Sequence, residues 1–247
     1  LKQTEIASWH CLFCMPAQTL EFRNLGLLIR ESVQFQWFNE GYRDFQDYCT
    51  SFVSRKRKTI LKERHHIQTL GIHFEHLTGS AITAQHWEVF FRFYQLTYLK
   101  HGMHAYLNID FFKHLAASLP DSLLLILAVK DREFVGAALS LLGSDTLYGR
   151  YWGCLEEYPL LHFETCYYQG LDYCLANGLQ RFDSGAQGEH KIARGFEPVT
   201  TFSAHWIKDA RFSDAIAQFL QREKPHIDAY KLECAKMLPF KQNQKTI

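Results

Sequence analysis

The chain has 247 residues, 47% of them hydrophobic, which is enough for one large domain or two small ones with a substantial core. Its 27 Lys and Arg residues nearly cancel its 26 Asp and Glu residues, so the composition excludes a disordered chain and a generally cationic nucleic-acid-binding protein. Any binding of an anion must therefore depend on a local patch. The longest apolar run, residues 123–129, is too short to cross a bilayer, and we expect no membrane span.

The seven cysteines are odd in number and scattered along the chain. This pattern argues against a secreted disulfide framework and predicts reduced thiols in the cytoplasm. Cys11 and Cys14 form a C-x-x-C pair, but the second Cys or His pair that a zinc knuckle needs is missing. The histidines likewise show no ligand set at an established spacing. We therefore expect no metal centre.

The first 43 residues predict a strand over 8–14, a helix over 17–24 and a second extended run over 27–38 that ends in a turn. These elements are too few for a domain of their own. A long helix is predicted next, over residues 44–68.

That long helix carries a strongly basic run. The run consists of Arg55, Lys56, Arg57 and Lys58. At about 100° per residue, Arg57 and Arg64 share one face of the helix, while Arg55, Lys58 and Lys62 share another. The plain interpretation is a solvated helix face. The functional interpretation is a phosphate-binding surface for a nucleotide-bearing cofactor, a tRNA or a nucleotide-linked precursor.

The following part of the chain predicts a strand over 72–77 and then a helix with Thr83 as its N-cap. An aromatic stripe runs along this helix at helical spacing, and we expect it to face the core. The stripe consists of Trp87, Phe90, Phe91, Tyr94 and Tyr98. A second short helix is predicted over 110–119.

Three apolar runs separated by short turns, over 123–129, 134–142 and 147–153, predict an antiparallel meander. The remaining elements are a helix over 162–176, a strand over 181–184, a helical turn over 189–194, a strand over 200–207 and two helices separated at Pro225. This order is similar to that of the GNAT acyltransferase fold. It predicts an α/β fold with a mixed sheet, a central antiparallel meander and helices on both faces.

The densest polar cluster lies in residues 182–196, directly after a predicted strand, where two glycines allow a tight turn. Its polar side chains are Asp183, Gln187, Glu189, His190, Lys191 and Arg194. Strand ends that lead into helix N-termini also present free N–H groups, which suit a carboxylate, a phosphate or a developing oxyanion. We expect a ligand site here; the alternative is a solvated loop with salt bridges.

A second candidate region surrounds Arg150, which lies in an otherwise aromatic and glycine-rich strand. A buried arginine is costly unless a carboxylate or an anionic ligand pairs with it, and Asp183 and Glu164 are the candidate partners. His162 opens the following helix beside Glu164. The alternative is a structural Arg–carboxylate pair in a well-filled sheet.

Two glycines of the same strand, Gly149 and Gly153, lie on one face by the alternation of strand side chains. They would leave room beside Tyr151 for a thin arm of a ligand.

Five segments together carry a family resemblance. They are QFQWFNEGY (34–42), SRKRK (54–58), LYGRYWG (147–153), LHFETCYYQG (161–170) and GAQGEHK (185–191). In combination they resemble the FemAB-like branch of bacterial predicted N-acyltransferases, the peptidoglycan biosynthesis or recognition proteins. The resemblance implies a GNAT-type fold, commonly as a pair of such domains, and transfer of an acyl or aminoacyl group to an amine.

The resemblance also implies a domain division. Residues 1–43 would be the remnant of a preceding, truncated GNAT-like domain. Residues 44–247 would form a GNAT-like acyltransferase domain with the long basic helix and the C-terminal helices.

One segment departs from the pattern of ordinary acetyl-CoA enzymes. Their pyrophosphate loop, Q/R-x-x-G-x-G/A, should lie between the meander and the next helix, where this chain has CLEEYPL over 154–160. Two carboxylates and a proline form a poor cradle for phosphates. No cofactor is therefore firmly implied. The candidate donors are acyl-CoA and aminoacyl-tRNA. The segment argues against acetyl-CoA and favours an aminoacyl-tRNA or another activated acyl donor.

Amide formation requires a base for the amine, donors for the oxyanion and an acid for the leaving group. We expect Asp183 or Glu189 as the base, with Lys191 and Arg194 holding the oxyanion or a donor phosphate. The expected catalytic residues are Asp183, Glu189 and Lys191. The expected substrate-binding residues are Arg150, His162, Glu164, Gln187, His190 and Arg194. The basic run is expected to bind an anionic donor or acceptor.

Two other functions are compatible with the same residues. The first is a non-catalytic GNAT-fold module that recognises a cell-wall precursor. The second is a tRNA-binding protein without chemistry, whose affinity would depend strongly on salt. We expect a small-molecule or precursor amine acceptor as partner and no DNA, and tRNA is a candidate partner. The sequence does not predict an oligomeric state.

Overall fold

The computed structural model describes residues 5–186 and 188–241. These residues form two compact units. Unit 1 combines the chain up to Phe35 with Ala186–Leu238. Unit 2 combines Gln36–Gly185 with the chain from Pro239 onward. The predicted division into domains at residue 43 stays a prediction.

The described residues contain eight strands, which are β1 (Ser8–Cys14), β2 (Leu28–Phe38), β3 (His73–Thr78), β4 (Leu123–Lys130), β5 (Glu133–Leu142), β6 (Thr146–Cys154), β7 (Arg181–Asp183) and β8 (Glu197–Ile207). Their α-helices are α1 (Pro16–Asn24), α2 (Phe45–Thr50), α3 (Ser54–Thr69), α4 (Ala84–Lys100), α5 (Ile109–Ser118), α6 (Leu161–Phe163), α7 (Gln169–Ala176) and α8 (Ala210–Lys236). A π-helix, Glu164–Tyr168, joins α6 to α7. Short 3₁₀ helices cover Gly79–Ala81, Pro120–Ser122 and Glu189–Arg194.

In unit 1, β1 pairs antiparallel with β8, and both α1 and α8 pack against β8. Two ion pairs join β2 to α8. Arg30 contacts Glu223 at 2.6 Å, and Lys224 contacts Glu31 at 2.8 Å. These pairs lie on consecutive residues of each element, so they fix the position of α8 along β2.

The prediction of two helices separated at Pro225 is wrong, because α8 continues through this residue. A proline inside a helix removes one hydrogen bond but does not have to end the helix. Pro225 is exposed, so water can bond to the carbonyl that loses its helical donor. The ion pairs of Glu223 and Lys224 also hold the helical turn directly before it.

In unit 2 the strand order is β2-β7-β6-β5-β4-β3, with residues 36–38 of β2 at one edge. Strands β3 to β6 are antiparallel neighbours, which confirms the predicted meander. Strand β7 then adds to β6 in parallel, with Tyr148 opposite Asp183 at the end of the pairing. The sheet is mixed and mostly antiparallel, as the sequence predicts.

The meander separates two hydrophobic cores, because alternate residues of a strand point to opposite faces. On one face, Leu125 and Leu127 of β4 pack with the aromatic side chains of α4 and with Phe112 of α5. On the other face, Ala128 packs with Ile67 of α3 and with α6. The aromatic stripe of α4 is therefore core, as predicted, and helices cover both faces of this sheet.

The predicted single helix over 44–68 is wrong in one respect, because it is interrupted at residues 51–53. The backbone there pairs with a distant segment of the chain. The Val53 N–H donates to the Pro239 carbonyl at 2.9 Å, and the Lys241 N–H donates to the Ser51 carbonyl at 2.9 Å. Phe52 between them is fully buried. These tertiary hydrogen bonds replace those that would have joined α2 to α3.

Every helix among the described residues is too short or too polar to cross a lipid bilayer.

Candidate functional site

Arg150 occupies a β-bulge in β6. Leu139 of β5 lies opposite Tyr151, and the next residue, Ser140, lies opposite Gly149, so Arg150 is an extra residue in β6. A bulge redirects the side chain that it carries. Arg150 is exposed, and its guanidinium carbon lies 5.5 Å from the centre of the Tyr151 ring.

The two carboxylates expected to pair with Arg150 bind other groups. Glu164 accepts hydrogen bonds from Arg64. Asp183 accepts from the side chain of Gln36 at 2.9 Å and from the Gly185 N–H at 2.8 Å. Within 5–186 and 188–241, no carboxylate is in ion-pair contact with Arg150. The expected structural pair is therefore wrong for both residues, and the guanidinium is accessible to a ligand.

A cavity of about 120 Å³ opens where β7 ends and β6 continues, paired only with β5. Arg150, Tyr151 and Ser184 line it from the strand side. His162 and Cys166 line it from α6 and the π-helix. The cavity thus brings together two of the residues predicted to bind substrate, Arg150 and His162.

The room expected beside Gly153 is absent, because α4 fills it. A Cβ atom at Gly153 would lie 2.2 Å from the backbone oxygen of Phe93. Gly149 is less confined, since a Cβ atom there would meet the Phe182 ring at 3.3 Å. Gly153 therefore allows close packing of α4 on β6, whereas Gly149 lines the cavity.

A second cavity, of about 430 Å³, adjoins the segment 154–160 and shares Trp152 and His162 with the first. Lys100 of α4 contacts Glu157 of this segment at 3.1 Å. The segment therefore offers a carboxylate already paired with a lysine, in a place where a phosphate cradle would need N–H donors.

Glu164 belongs to a buried network around Arg64. Its Oε1 accepts from Arg64 and from the side chain of Gln169, whereas its Oε2 is buried without a hydrogen-bond partner. Arg64 also forms a two-pronged contact with Asp172, at 2.5 and 3.1 Å. Burial raises the pKa of the Glu164 carboxyl, although Arg64 opposes this. Glu164 thus supports the π-helix, and its predicted contact with substrate stays a prediction.

The predicted residues of the polar cluster fall in both units. Asp183 lies in unit 2, where its carboxylate holds the turn at Gly185. Glu189, His190, Lys191 and Arg194 lie in unit 1. Gln187 lies outside the described residues.

Within unit 1, the 3₁₀ helix Glu189–Arg194 holds two buried cations, since Lys191 and Arg194 are each 4% exposed. Arg194 Nη1 donates to the His190 carbonyl at 2.8 Å. Burial lowers the pKa of His190, and the charges of Arg194 and Lys191 lower it further. Glu189 is exposed. This short segment is therefore a site of concentrated positive charge.

The basic run opens α3. Arg55 and Lys58 are exposed, and Lys56 and Arg57 are half-buried. No acidic residue lies in the first turn of this helix, and Val53 provides no side-chain cap. The positive end of the helix dipole and the four cations therefore act in the same direction, which favours an anion.

Three residues beside these cavities were missed from sequence. Cys166 lies four residues after His162, so helical spacing already placed it on the same face. Lys100 is the last residue of α4, and its ion pair with Glu157 had no signal in the sequence. Tyr106, in the loop between α4 and α5, contacts Tyr151 at 3.4 Å between hydroxyl oxygens. Nothing in the spacing of Tyr106 indicated this contact.

In this protein an antiparallel meander is followed by a parallel strand that ends early. Helices lie on both faces of the sheet, and a cavity opens where the parallel strand ends. These features define the GNAT-like class of folds. The model of the FemAB-like family, described as peptidoglycan biosynthesis/recognition, matches residues 1–242. The chain belongs to this family.

Several solved structures have a fold similar to that of this chain. FemX has a TM-score of 0.61 at 10% identity, over 86% of this chain and 75% of that chain. L-PGS from Bacillus licheniformis has a TM-score of 0.61 at 6% identity, over 86% and 73% of the two chains. A C-terminal domain (DUF2156) described as lysylphosphatidylglycerol synthetase, from Agrobacterium fabrum, has 0.60 at 10% identity, over 86% and 71%. At these identities the likeness establishes the fold alone. A comparison with curated proteins found no match.

Proposed function

We propose that this protein transfers an acyl or aminoacyl group to an amine acceptor and forms an amide bond. Membership of the FemAB-like family supports a transferase related to peptidoglycan precursors. The observation that carries the proposal is the cavity beside β6. It is lined by the accessible guanidinium of Arg150, the imidazole of His162 and Ser184, the residue that follows β7. Such a place suits a substrate that carries charge and must be held in one orientation.

The chemistry needs a neutral amine, because a protonated amine cannot attack a carbonyl carbon. In the proposed reaction the amine nitrogen forms a bond to the acyl carbon, and the bond from that carbon to the donor oxygen or sulfur breaks. Asp183 or Glu189 takes the proton of the amine, directly or through water, and a proton passes to the leaving oxygen or sulfur, which departs as the alcohol or thiol. In unit 1, Glu189 as the base would be accompanied by Lys191 and Arg194, whose charges would stabilise the oxyanion of the intermediate. Gln187 and His190 orient the substrate.

We favour aminoacyl-tRNA as the donor over acyl-CoA. The segment 154–160 pairs its Glu157 with Lys100, which argues against a pyrophosphate at this position. The cationic start of α3 offers a surface for a polyanion such as tRNA. A cytoplasmic location follows from this donor, and the seven cysteines, all free thiols, agree with a reducing compartment.

The test replaces Asp183→Asn, Glu189→Gln and Lys191→Met singly. Product formation is measured by mass spectrometry with charged tRNA or acyl-CoA and a panel of amines. Loss of one group in general acid–base or oxyanion chemistry should slow turnover by about 100-fold or more. The exposed Glu156→Gln is the matched control and should retain full activity. Unchanged rates in all three variants would exclude Asp183, Glu189 and Lys191 as the catalytic residues.

The family description includes recognition as well as biosynthesis, which keeps a non-catalytic binding module as the second candidate. Ligand-induced thermal stabilisation separates the two functions. A binding module should be stabilised by a cell-wall precursor and not by acyl donors, whereas the enzyme should be stabilised by both.

A further inference from the structure

A group of tyrosines adjoins Arg150 through Tyr151, whose ring centre lies 5.5 Å from the guanidinium carbon. Tyr151 follows it on β6, and Tyr106 reaches the Tyr151 hydroxyl from the loop after α4 at 3.4 Å. The ring of Tyr98 lies 5.6 Å from that of Tyr106, and the ring of Tyr94 lies 5.0 Å from that of Tyr98. These rings support the loop that carries Tyr106, which is itself 63% exposed.

The polar atoms of this group can all donate hydrogen bonds. A guanidinium has only donors, and a phenol can donate one. Other arginines of this protein are neutralised by carboxylates, as Arg64 is by Glu164 and Arg181 is by Asp145. Arg150 has no such partner among the residues that the structure describes. A charged donor fixed on a bulge beside two hydroxyls matches the hydrogen-bonding needs of a carboxylate or phosphate group.

The local electrostatics agree with this arrangement. The hydrogen bond from Tyr151 lowers the pKa of Tyr106, and the charge of Arg150 lowers it further. Burial raises the pKa of Tyr151 to about 12. The position of the Tyr106 hydroxyl therefore favours negative charge, which an oxyanion of a ligand would also bring.

We propose that Arg150, Tyr151 and Tyr106 form an oxyanion-binding site that selects amine acceptors carrying a phosphate or carboxylate group. This inference rests on the proposed function and adds the chemical class of the acceptor. Arg150 and Tyr151 also line the cavity of about 120 Å³, so the proposed anion site adjoins this cavity through these two residues. A cavity of about 150 Å³ holds one benzene molecule, so the part of the acceptor inside is a short chain or a small ring.

Isothermal titration calorimetry with three small probes tests the inference. 2-Aminoethyl phosphate carries an amine and a phosphate, β-alanine carries an amine and a carboxylate, and ethanolamine carries no anionic group. The wild-type protein should bind one or both anionic probes and should not bind ethanolamine. Binding of the phosphate probe alone would identify a phosphate as the anchoring group, and binding of β-alanine alone would identify a carboxylate.

Two variants assign the binding to the named residues. Tyr106→Phe removes one hydroxyl and should weaken binding about 10-fold, the usual size for a hydrogen bond to a charged group. Arg150→Gln should weaken it more than 10-fold. Tyr148→Phe, an exposed tyrosine of the same strand, is the control and should leave affinity unchanged. Raising the pH ionises Tyr106, so wild-type affinity should fall with a step that Tyr106→Phe lacks.

Other results would overturn the inference. One is the absence of binding by both anionic probes at millimolar concentration, and another is equal binding by the wild-type protein, Tyr106→Phe and Arg150→Gln. Catalysis plays no part in these titrations. Anion binding can therefore fail while transferase activity is found, or succeed in a protein that transfers nothing, so the two proposals are tested apart.

Discussion

Replacing Arg64 with methionine should destabilise unit 2 far more than any other loss of one charge on α3. The guanidinium donates to Glu164 through Nε and Nη2, at 3.1 and 2.9 Å, and to Asp172 through Nη1 and Nη2. Its central carbon also lies 4.3 Å from the centre of the Phe45 ring. Methionine fills a similar volume but leaves both carboxylates without their cation.

The magnitude follows from the exposure of the two carboxylates. The side chain of Asp172 is 31% exposed and can be solvated again, whereas that of Glu164 is 4% exposed and cannot. Removing one partner of a buried ion pair costs about 3–5 kcal/mol, and the exposure of Asp172 places the expected loss near ~3 kcal/mol. For a unit of this size, that loss lowers the Tm by about 6–12 °C.

The pH dependence has a definite sign. Burial raises the pKa of Glu164 in the folded protein, so its contribution to stability is complete below the unfolded pKa and is lost as the pH rises through the folded pKa. Without Arg64, which opposes this rise, the folded pKa increases further. Arg64→Met should therefore be more destabilising at pH 8 than at pH 5.

Thermal and urea unfolding at both pH values measure these effects, with the exposed Arg55→Met as the control. The double variant Arg64→Met, Glu164→Gln removes the buried charge and should recover part of the loss at pH 8. The reasoning would be refuted if Arg64→Met cost less than about 1 kcal/mol, or if the double variant were no more stable than the single one.

Two further predictions concern backbone geometry. Gly153→Ala should destabilise unit 2 by several kcal/mol, because the added methyl group would lie 2.2 Å from a backbone oxygen of α4 that cannot move independently. Chemical unfolding measures the loss of stability. A loss below about 1 kcal/mol would contradict the prediction. Pro225→Ala should stabilise α8 by up to about 3 kcal/mol, because alanine restores a helical N–H at an exposed position. A variant less stable than the wild type would show instead that the local geometry around Pro225 is required for the neighbouring ion pairs.

The meander and α4 could be predicted because their signals are local. Apolar runs of strand length with short turns between them indicate hairpins, and the aromatic stripe has the helical period. The predicted N-cap at Thr83 is also confirmed, since its hydroxyl accepts from the His86 N–H at 3.4 Å. Each of these features depends on residues within one turn or one hairpin.

The failures have long-range causes. The break between α2 and α3 depends on hydrogen bonds from the C-terminal segment, which no pattern near residue 52 reveals. Similarly, the predicted face shared by Arg57 and Arg64 does not show that Arg64 is paired with carboxylates 100 and 108 positions away. The π-helix adds a further difference, because Gln169 bonds to Glu164 across five residues and a simple helical period misses that contact.

Arg150 shows how far the candidate site could be predicted. A charge in an aromatic, glycine-rich strand is costly wherever it is buried, so sequence alone was enough to single it out. Its environment could not be predicted, because the bulge depends on the register between β5 and β6.

That register also decides which cations of the protein are available for function. The formal net charge is only +1. The charge of Arg64 is neutralised by Glu164 and Asp172, and these ion pairs join α3 to the π-helix and α7. The extra residue in β6 places Arg150 outside any such network among the described residues, beside a cavity that it lines. Arg150 is exposed and has no carboxylate partner among the described residues, and a bound anion is the partner that we propose for it. The same argument applies with less force to the start of α3, where solvent alone can accommodate the exposed charges.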